Sequence, residues 1–210
     1  KPLFQKTKNL KIKNNKVYVG YNLRYKEMLQ YVKNLLKKRK VLFANINCYS
    51  YLPRWRKRNY SLSYSADKKL GGGVHLDLSH EVDLTNWLFG KLKVKYKILK
   101  KISNLNINSF DFFHMNASSN LSKIININLN YFSLKESRKI EIITTKEFME
   151  VDLINDKIKI TKLNKIIVKK FNKISSIERM YLQLEDIQKK RPKYACSYKD
   201  AVKVLENLGV

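Results

Sequence analysis

The chain is short of every residue that staples or punctuates a fold: 3 prolines, 6 glycines and 2 cysteines among 210 residues. Cys48 and Cys196 cannot build a disulfide framework, and neither stands in a CxxC or similar metal-ligand spacing, so both read as buried thiols. No apolar run approaches the roughly 20 residues that span a bilayer, and no signal-peptide pattern opens the chain. The expectation is a soluble cytoplasmic protein with no membrane partner. No proline-, glycine- or serine-rich linker divides it and no repeat recurs, so one sizeable core is expected.

Acidic residues are also scarce, 17 against 44 basic ones, for a formal charge of +27. Such an excess suits a nucleic-acid binder. The basic residues, however, are 36 lysines and 8 arginines, alongside 21 asparagines and 19 isoleucines, all abundant types spelled by A/T-rich codons. No zinc finger, aromatic ribonucleoprotein motif or other recognition module is present. No specific nucleic-acid partner is therefore expected, although polyanions will bind at low salt.

What is there is clear periodicity. "KVYVGY" at 16–21 predicts a short buried strand. "LRYKEMLQYVKNLLKK" places Leu23, Met28, Tyr31, Val32, Leu35 and Leu36 at helical spacing. Residues 41–49 predict a strand and 50–70 a long loop. "KIININLNYF" alternates Ile125, Ile127, Leu129 and Tyr131 with Asn126, Asn128 and Asn130, a strand with one packed and one wet face. Further strands follow, with a tight turn at Asn155-Asp156, then helices at 175–190 and 198–208. This order predicts an α+β fold with a large open, mainly antiparallel β-sheet covered on one face by helices.

The chemistry gathers in "GGGVHLDLSHEVDLTNWLFG", residues 71–90. A glycine triplet belongs where the chain turns tightly or approaches something closely. The helix predicted after it, closed by Gly90, would put Asp77, His80 and Glu81 on one face, with Asp83 beside His80. An imidazole next to a carboxylate suits a general base, and a first helical turn with acidic residues complementing the dipole is the plainer alternative. His75 reads as partly exposed and His114 as packed in a strand. No spacing brings the three histidines together, so no metal is expected. The loop "PRWRKRNY" offers guanidinium and aromatic groups to an anionic substrate such as a nucleotide sugar, and reads equally as a solvated loop or subunit contact.

Together with "KPLF" at 1–4, "VGYNLRY" at 19–25 and "YLPRWRKRNYSLSYSA" at 51–66, this stretch resembles the Gfo/Idh/MocA family of NAD(P)-dependent oxidoreductases, and more narrowly its members found with bacterial surface-sugar biosynthesis. The resemblance implies a subunit with an N-terminal Rossmann domain, of which residues 1–21 are a remnant, and a substrate-binding and oligomerisation domain at 22–210. It makes Lys1 and Pro2 the end of the family's Glu-Lys-Pro motif, so that Lys1 touches nicotinamide and substrate hydroxyl. It makes Asp77 and His80 catalytic: His80 takes the hydroxyl proton of a sugar or nucleotide sugar, and Asp77 binds substrate and tunes the pair. Asn22, Arg24, Trp55, Arg56, Tyr64 and Asp83 become substrate contacts. NAD or NADP is the implied cofactor and a homodimer or homotetramer through the β-sheet the implied assembly. Two departures stand out: many members separate the Asp and His by four positions rather than three, and the GxGxxG fingerprint is missing. The cofactor is accordingly expected on a domain outside these residues. The rival expectation is a truncated or split-gene product that only binds or assembles.

Overall fold

The computed structural model describes residues 2–4 and 17–210. Lys1 lies outside the described residues, as does most of the remnant expected at 1–21. Strand β1, Tyr18–Val19, is shorter than the strand predicted at 16–21 and pairs antiparallel with β10, Cys196–Ser197, near the other end of the chain. A turn of 3-10 helix at Asn22–Tyr25 leads into helix α1, Glu27–Leu36, which buries Met28, Leu29, Val32 and Leu36. Leu23, predicted to be helical, belongs to the 3-10 turn.

An eight-stranded sheet forms the centre of the fold. Its strands are β2 (Val41–Tyr51), β3 (Lys93–Lys100), β4 (Phe112–Ser118), β5 (Ser122–Asn130), β6 (Phe132–Thr144), β7 (Phe148–Asp152), β8 (Lys157–Lys162) and β9 (Lys165–Lys170). They run in the order β3-β4-β5-β2-β6-β7-β8-β9, and only the β2–β5 pair is parallel. Alternation decides the faces. Ala44, Ile46 and Cys48 of β2, Phe113 and Met115 of β4, and Ile125, Ile127 and Leu129 of β5 point into the core. The intervening Asn45, Asn47, Asn116, Asn126, Asn128 and His114 bond one another across the outer face, as in the 2.7 Å contact of His114 Nδ1 with Asn128. Each fully buried Ile or Leu contributes about 1.5–3 kcal/mol by leaving water.

Both edge strands are lysine-rich. β3 carries Lys93, Lys95, Lys97 and Lys100, and β9 carries Lys165, Lys169 and Lys170. Charges on an unpaired edge oppose strand addition by another chain, so part of the basic excess has a structural use. The turn predicted at Asn155-Asp156 is present: β7 and β8 are joined there, and Asp156 takes a positive φ of 47°.

Helices α2 (Val74–Asp77) and α3 (Ser79–Phe89) lie on the inner face against β2, β4 and β5, and α5 (Tyr198–Leu208) packs on α3. Helix α4, Ser176–Ile187, begins with a full capping box between Ser175 and Glu178 and packs on the Asn22–Tyr25 turn. The buried apolar residues from Val19 to Leu208 form one continuous cluster, so residues 17–21 share the core of everything that follows. Among the described residues no helix is long and apolar enough to cross a membrane.

Candidate active site

Each glycine of the triplet has its own reason. Gly71 ends a 3-10 turn at φ 82° and Gly73 sits at φ 132°, conformations that a side chain disfavours. Gly72 is there for space. A Cβ on it would lie 2.2 Å from the backbone oxygen of Tyr64 and 2.6 Å from that of Ser65. The triplet thus lets the 52–70 segment lie against the start of α2. That segment, predicted as irregular loop, is a chain of four 3-10 turns, Leu52–Arg54, Tyr60–Leu62, Tyr64–Ala66 and Lys68–Leu70.

The single helix predicted after the triplet is in fact two. Leu78 leaves helical geometry at φ −97°, ψ 18°, between Asp77 and Ser79, so the three-residue spacing of Asp77 and His80 does not carry the face-sharing of a continuous helix. The two residues find different partners. Asp77 accepts a hydrogen bond from the hydroxyl of Tyr131, a fully buried side chain that follows β5. Burial, and then the Asp77 charge, push the Tyr131 hydroxyl well above its ordinary value, which keeps it a donor. Trp55 packs edge-on against the Tyr131 ring at 5.2 Å, and the Arg56 guanidinium lies 5.2 Å from the ring centre of half-exposed Tyr64. Asp77, Trp55, Arg56 and Tyr64 are therefore brought together around Tyr131, a residue whose sequence signal marked it only as the inward end of a strand.

His80 turns to Glu81. Its Nε2 lies 3.1 Å from the Glu81 carboxylate, which is 1% exposed and also pairs with Arg138 of β6. Burial alone would raise the Glu81 carboxyl, but Arg138 and then His80 outweigh it and hold the group at about 2, so Glu81 is an anion. Cys48 of β2 stands opposite Arg138, and donor atoms of Cys48, His80 and Glu81 lie within 4.8 Å of one another. The guanidinium already supplies the cation for that carboxylate, and burial pushes the Cys48 thiol well up, so the trio is a poor cation site. Arg138 went unnoticed in the sequence. Its signal was available as one of 8 arginines in a lysine-rich chain, since a planar guanidinium suits a buried carboxylate better than an ammonium does.

Three expected substrate contacts are placed elsewhere. Arg24 grips Asp83 with two hydrogen bonds, Nε to Oδ2 at 3.1 Å and Nη2 to Oδ1 at 2.5 Å, both side chains being almost wholly buried. The remaining Arg24 nitrogen faces the Ala195 carbonyl and Asp200. The structure pairs these two expected sugar contacts with one another, because two opposite charges out of water satisfy one another first. Asn22 donates to the Ser176 carbonyl and lines a shallow apolar hollow with Met180 and Leu184 of α4. His75 is corrected. Rather than partly exposed, it is 4% exposed, stacked on Phe113 and edge-on to Phe110. Pro2 is half-buried. Among the described residues no glycine-rich nucleotide turn and no parallel βαβ sheet is present, so they do not amount to a dinucleotide site.

No family model matches this sequence. No curated protein matches it either. Solved structures do. The chain superposes on an oxidoreductase from Agrobacterium radiobacter in complex with NAD+, L-tartaric acid and magnesium with a TM-score of 0.72 at 15% identity, covering 91% of this chain and 60% of that one. It matches UDP-N-acetylglucosamine 3-dehydrogenase from Acidithiobacillus ferrooxidans at 0.69 and 16% identity, over 90% and 57% of the two chains. The WlbA dehydrogenase from Bordetella pertussis, in complex with NADH and UDP-GlcNAcA, matches at 0.65 and 16%, again over 90% and 57%. These are Gfo/Idh/MocA-type oxidoreductases, and the chain has their fold over somewhat less than two thirds of their length.

Proposed function

We propose that this chain is the substrate-side domain of a Gfo/Idh/MocA-type, NAD(P)-dependent oxidoreductase acting on a hydroxyl or keto group of a sugar or nucleotide sugar. The observation that carries the reading is the imidazole of His80, seated on a buried anionic carboxylate beside the glycine turn, in a fold shared with dehydrogenases. In this reading His80 accepts the proton of the reacting hydroxyl, and Asp77, fixed by Tyr131, binds a neighbouring hydroxyl. Trp55 and Tyr64 offer ring faces to the sugar, and Arg56 offers a guanidinium to an anionic part of the ligand. The bound nicotinamide would supply hydride exchange. The described residues do not hold it, so its binding is assigned to chain outside them.

The test is binding. Calorimetric titration of the 210-residue chain with a panel of uridine-diphosphate sugars and free sugars is expected to show binding for at least one ligand. Arg56→Ala and Tyr64→Ala should each weaken it roughly tenfold, the effect of losing about 1.4 kcal/mol. A panel that binds nowhere, or binding indifferent to Arg56, Tyr64 and Asp77 alike, overturns the reading. The outer face of the sheet, with its asparagine network and half-exposed apolar residues, supports the further expectation of a homo-oligomer, which sedimentation of the same sample measures.

A further inference from the structure

Glu81, the carboxylate on which His80 is seated, is almost completely buried. A glutamate on an inner helix face is costly unless something specific holds it. Two groups do. Arg138 reaches it from β6, and His80 reaches it with Nε2 at 3.1 Å. The helix break at Leu78 matters here, because it separates His80 from Asp77, whose own carboxylate is engaged by Tyr131.

We propose that Glu81, anchored by Arg138, is the positioning residue for His80: it fixes Nε2 as the protonated nitrogen and makes Nδ1 the lone-pair nitrogen that takes up a substrate proton. The inference deepens the dehydrogenase reading and rests on it. The proton balance is simple. The O–H bond of the hydroxyl breaks, an Nδ1–H bond forms, and the resulting imidazolium is countered by the Glu81 carboxylate 3.1 Å from Nε2. A neutral histidine donates through one ring nitrogen and accepts through the other, so a carboxylate on Nε2 decides the tautomer. Among the described residues, Glu81 on α3, Cys48 on β2 and Arg138 on β6 bring charged or titratable groups to the His80 ring and its carboxylate. Cys48 contributes no charge, since its thiol stays protonated. Arg138 carries a positive charge that neutralises Glu81 at rest and keeps the carboxylate from drifting toward protonation. The arrangement is a carboxylate oriented by a guanidinium, which in turn orients an imidazole.

The test reads His80 itself by nitrogen-detected NMR of the ligand-free chain, so that its result is independent of any substrate. In the wild-type chain the neutral imidazole should be the Nε2–H tautomer. Glu81→Gln should lower the His80 midpoint by about one unit or more, the effect of removing an opposite charge in direct contact. Since Glu81→Gln strands Arg138 and could unfold the chain, the double variant Glu81→Leu/Arg138→Met keeps the test open: it leaves no unpaired charge and should convert His80 to a mixture of tautomers. If His80 keeps its tautomer and midpoint in the folded variants, Glu81 does not position it and the inference falls, whatever the enzyme assays show. If His80 follows Glu81 as stated, the positioning stands, and activity that is indifferent to His80 would then count against the dehydrogenase reading alone.

Discussion

Arg24 and Asp83 stand 59 positions apart in sequence and close on one another with two hydrogen bonds inside the helix layer. Removing one partner of such a buried pair leaves the other charge uncompensated, at a cost of about 3–5 kcal/mol. Asp83→Ala is therefore expected to lower the free energy of urea unfolding by that amount, while the double variant Arg24→Met/Asp83→Leu recovers most of it. A loss below about 1 kcal/mol, typical of an exposed pair, would mean that the two side chains face solvent and remain available to a ligand.

The glycine triplet makes its own prediction. At Gly72 a new Cβ meets rigid backbone oxygens of the 64–67 turn, and overpacking of this kind costs about 1–3 kcal/mol. At Gly90 a Cβ meets nothing, and the cost is that of its backbone, φ 84° with ψ −168°, a conformation essentially reserved for glycine, again about 1–3 kcal/mol. The two substitutions should therefore cost similar stability for different reasons, and Gly72→Ala alone should alter the fluorescence of Trp55 as the 52–70 segment lifts away. Unchanged Trp55 fluorescence in a folded Gly72→Ala chain would show that the close approach to Tyr64 does not constrain the turn.

Burial, and then the charge of Lys97, hold His75 down to about 4 from its ordinary 6.5. The folded chain keeps this ring neutral, whereas the unfolded chain protonates it once the pH falls below 6.5. The stability it contributes is thus fully present above pH 6.5 and is lost as the pH falls toward 4. Between pH 6.5 and 5, above the range where carboxylates titrate, the loss should reach about 2 kcal/mol. His75→Phe, which retains the aromatic contacts with Phe110 and Phe113, should flatten this slope in denaturant titrations. A slope unchanged by the substitution would place the acid sensitivity elsewhere.

Much of the fold was legible because period and burial agree. The alternation around Ile125, Ile127 and Leu129 marked one packed and one wet face, and the stripe of Met28, Val32 and Leu36 marked α1. The edge strand β3 was not legible: its side chains are mostly exposed on both faces, so lysines mask the period. The break at Leu78 was hidden for the opposite reason, since Val74 to Phe89 has helical composition throughout and tertiary packing sets the bend. Of the site, the glycine turn with Asp77 and His80 could be seen as one stretch. Glu81, which His80 faces, lies in the same stretch, but the partners that hold Asp77 and Glu81 could not be seen. Tyr131 and Arg138 arrive from strands more than 50 positions away, and proximity of that kind is written in sheet register rather than in local spacing.

The central claim is that His80 takes the proton of a sugar hydroxyl during dehydrogenation. The most direct measurement is nicotinamide reduction by the native protein across a panel of sugars and nucleotide sugars, read as kcat/KM, with His80→Gln beside the wild-type protein. Loss of a general base predicts a fall of about 10²–10⁴-fold in kcat/KM, carried mainly by kcat, with unfolding stability nearly unchanged. Activity within a few fold of wild type in a folded His80→Gln enzyme would contradict the assignment of the base, and no nicotinamide reduction with any sugar would contradict the dehydrogenase reading as a whole.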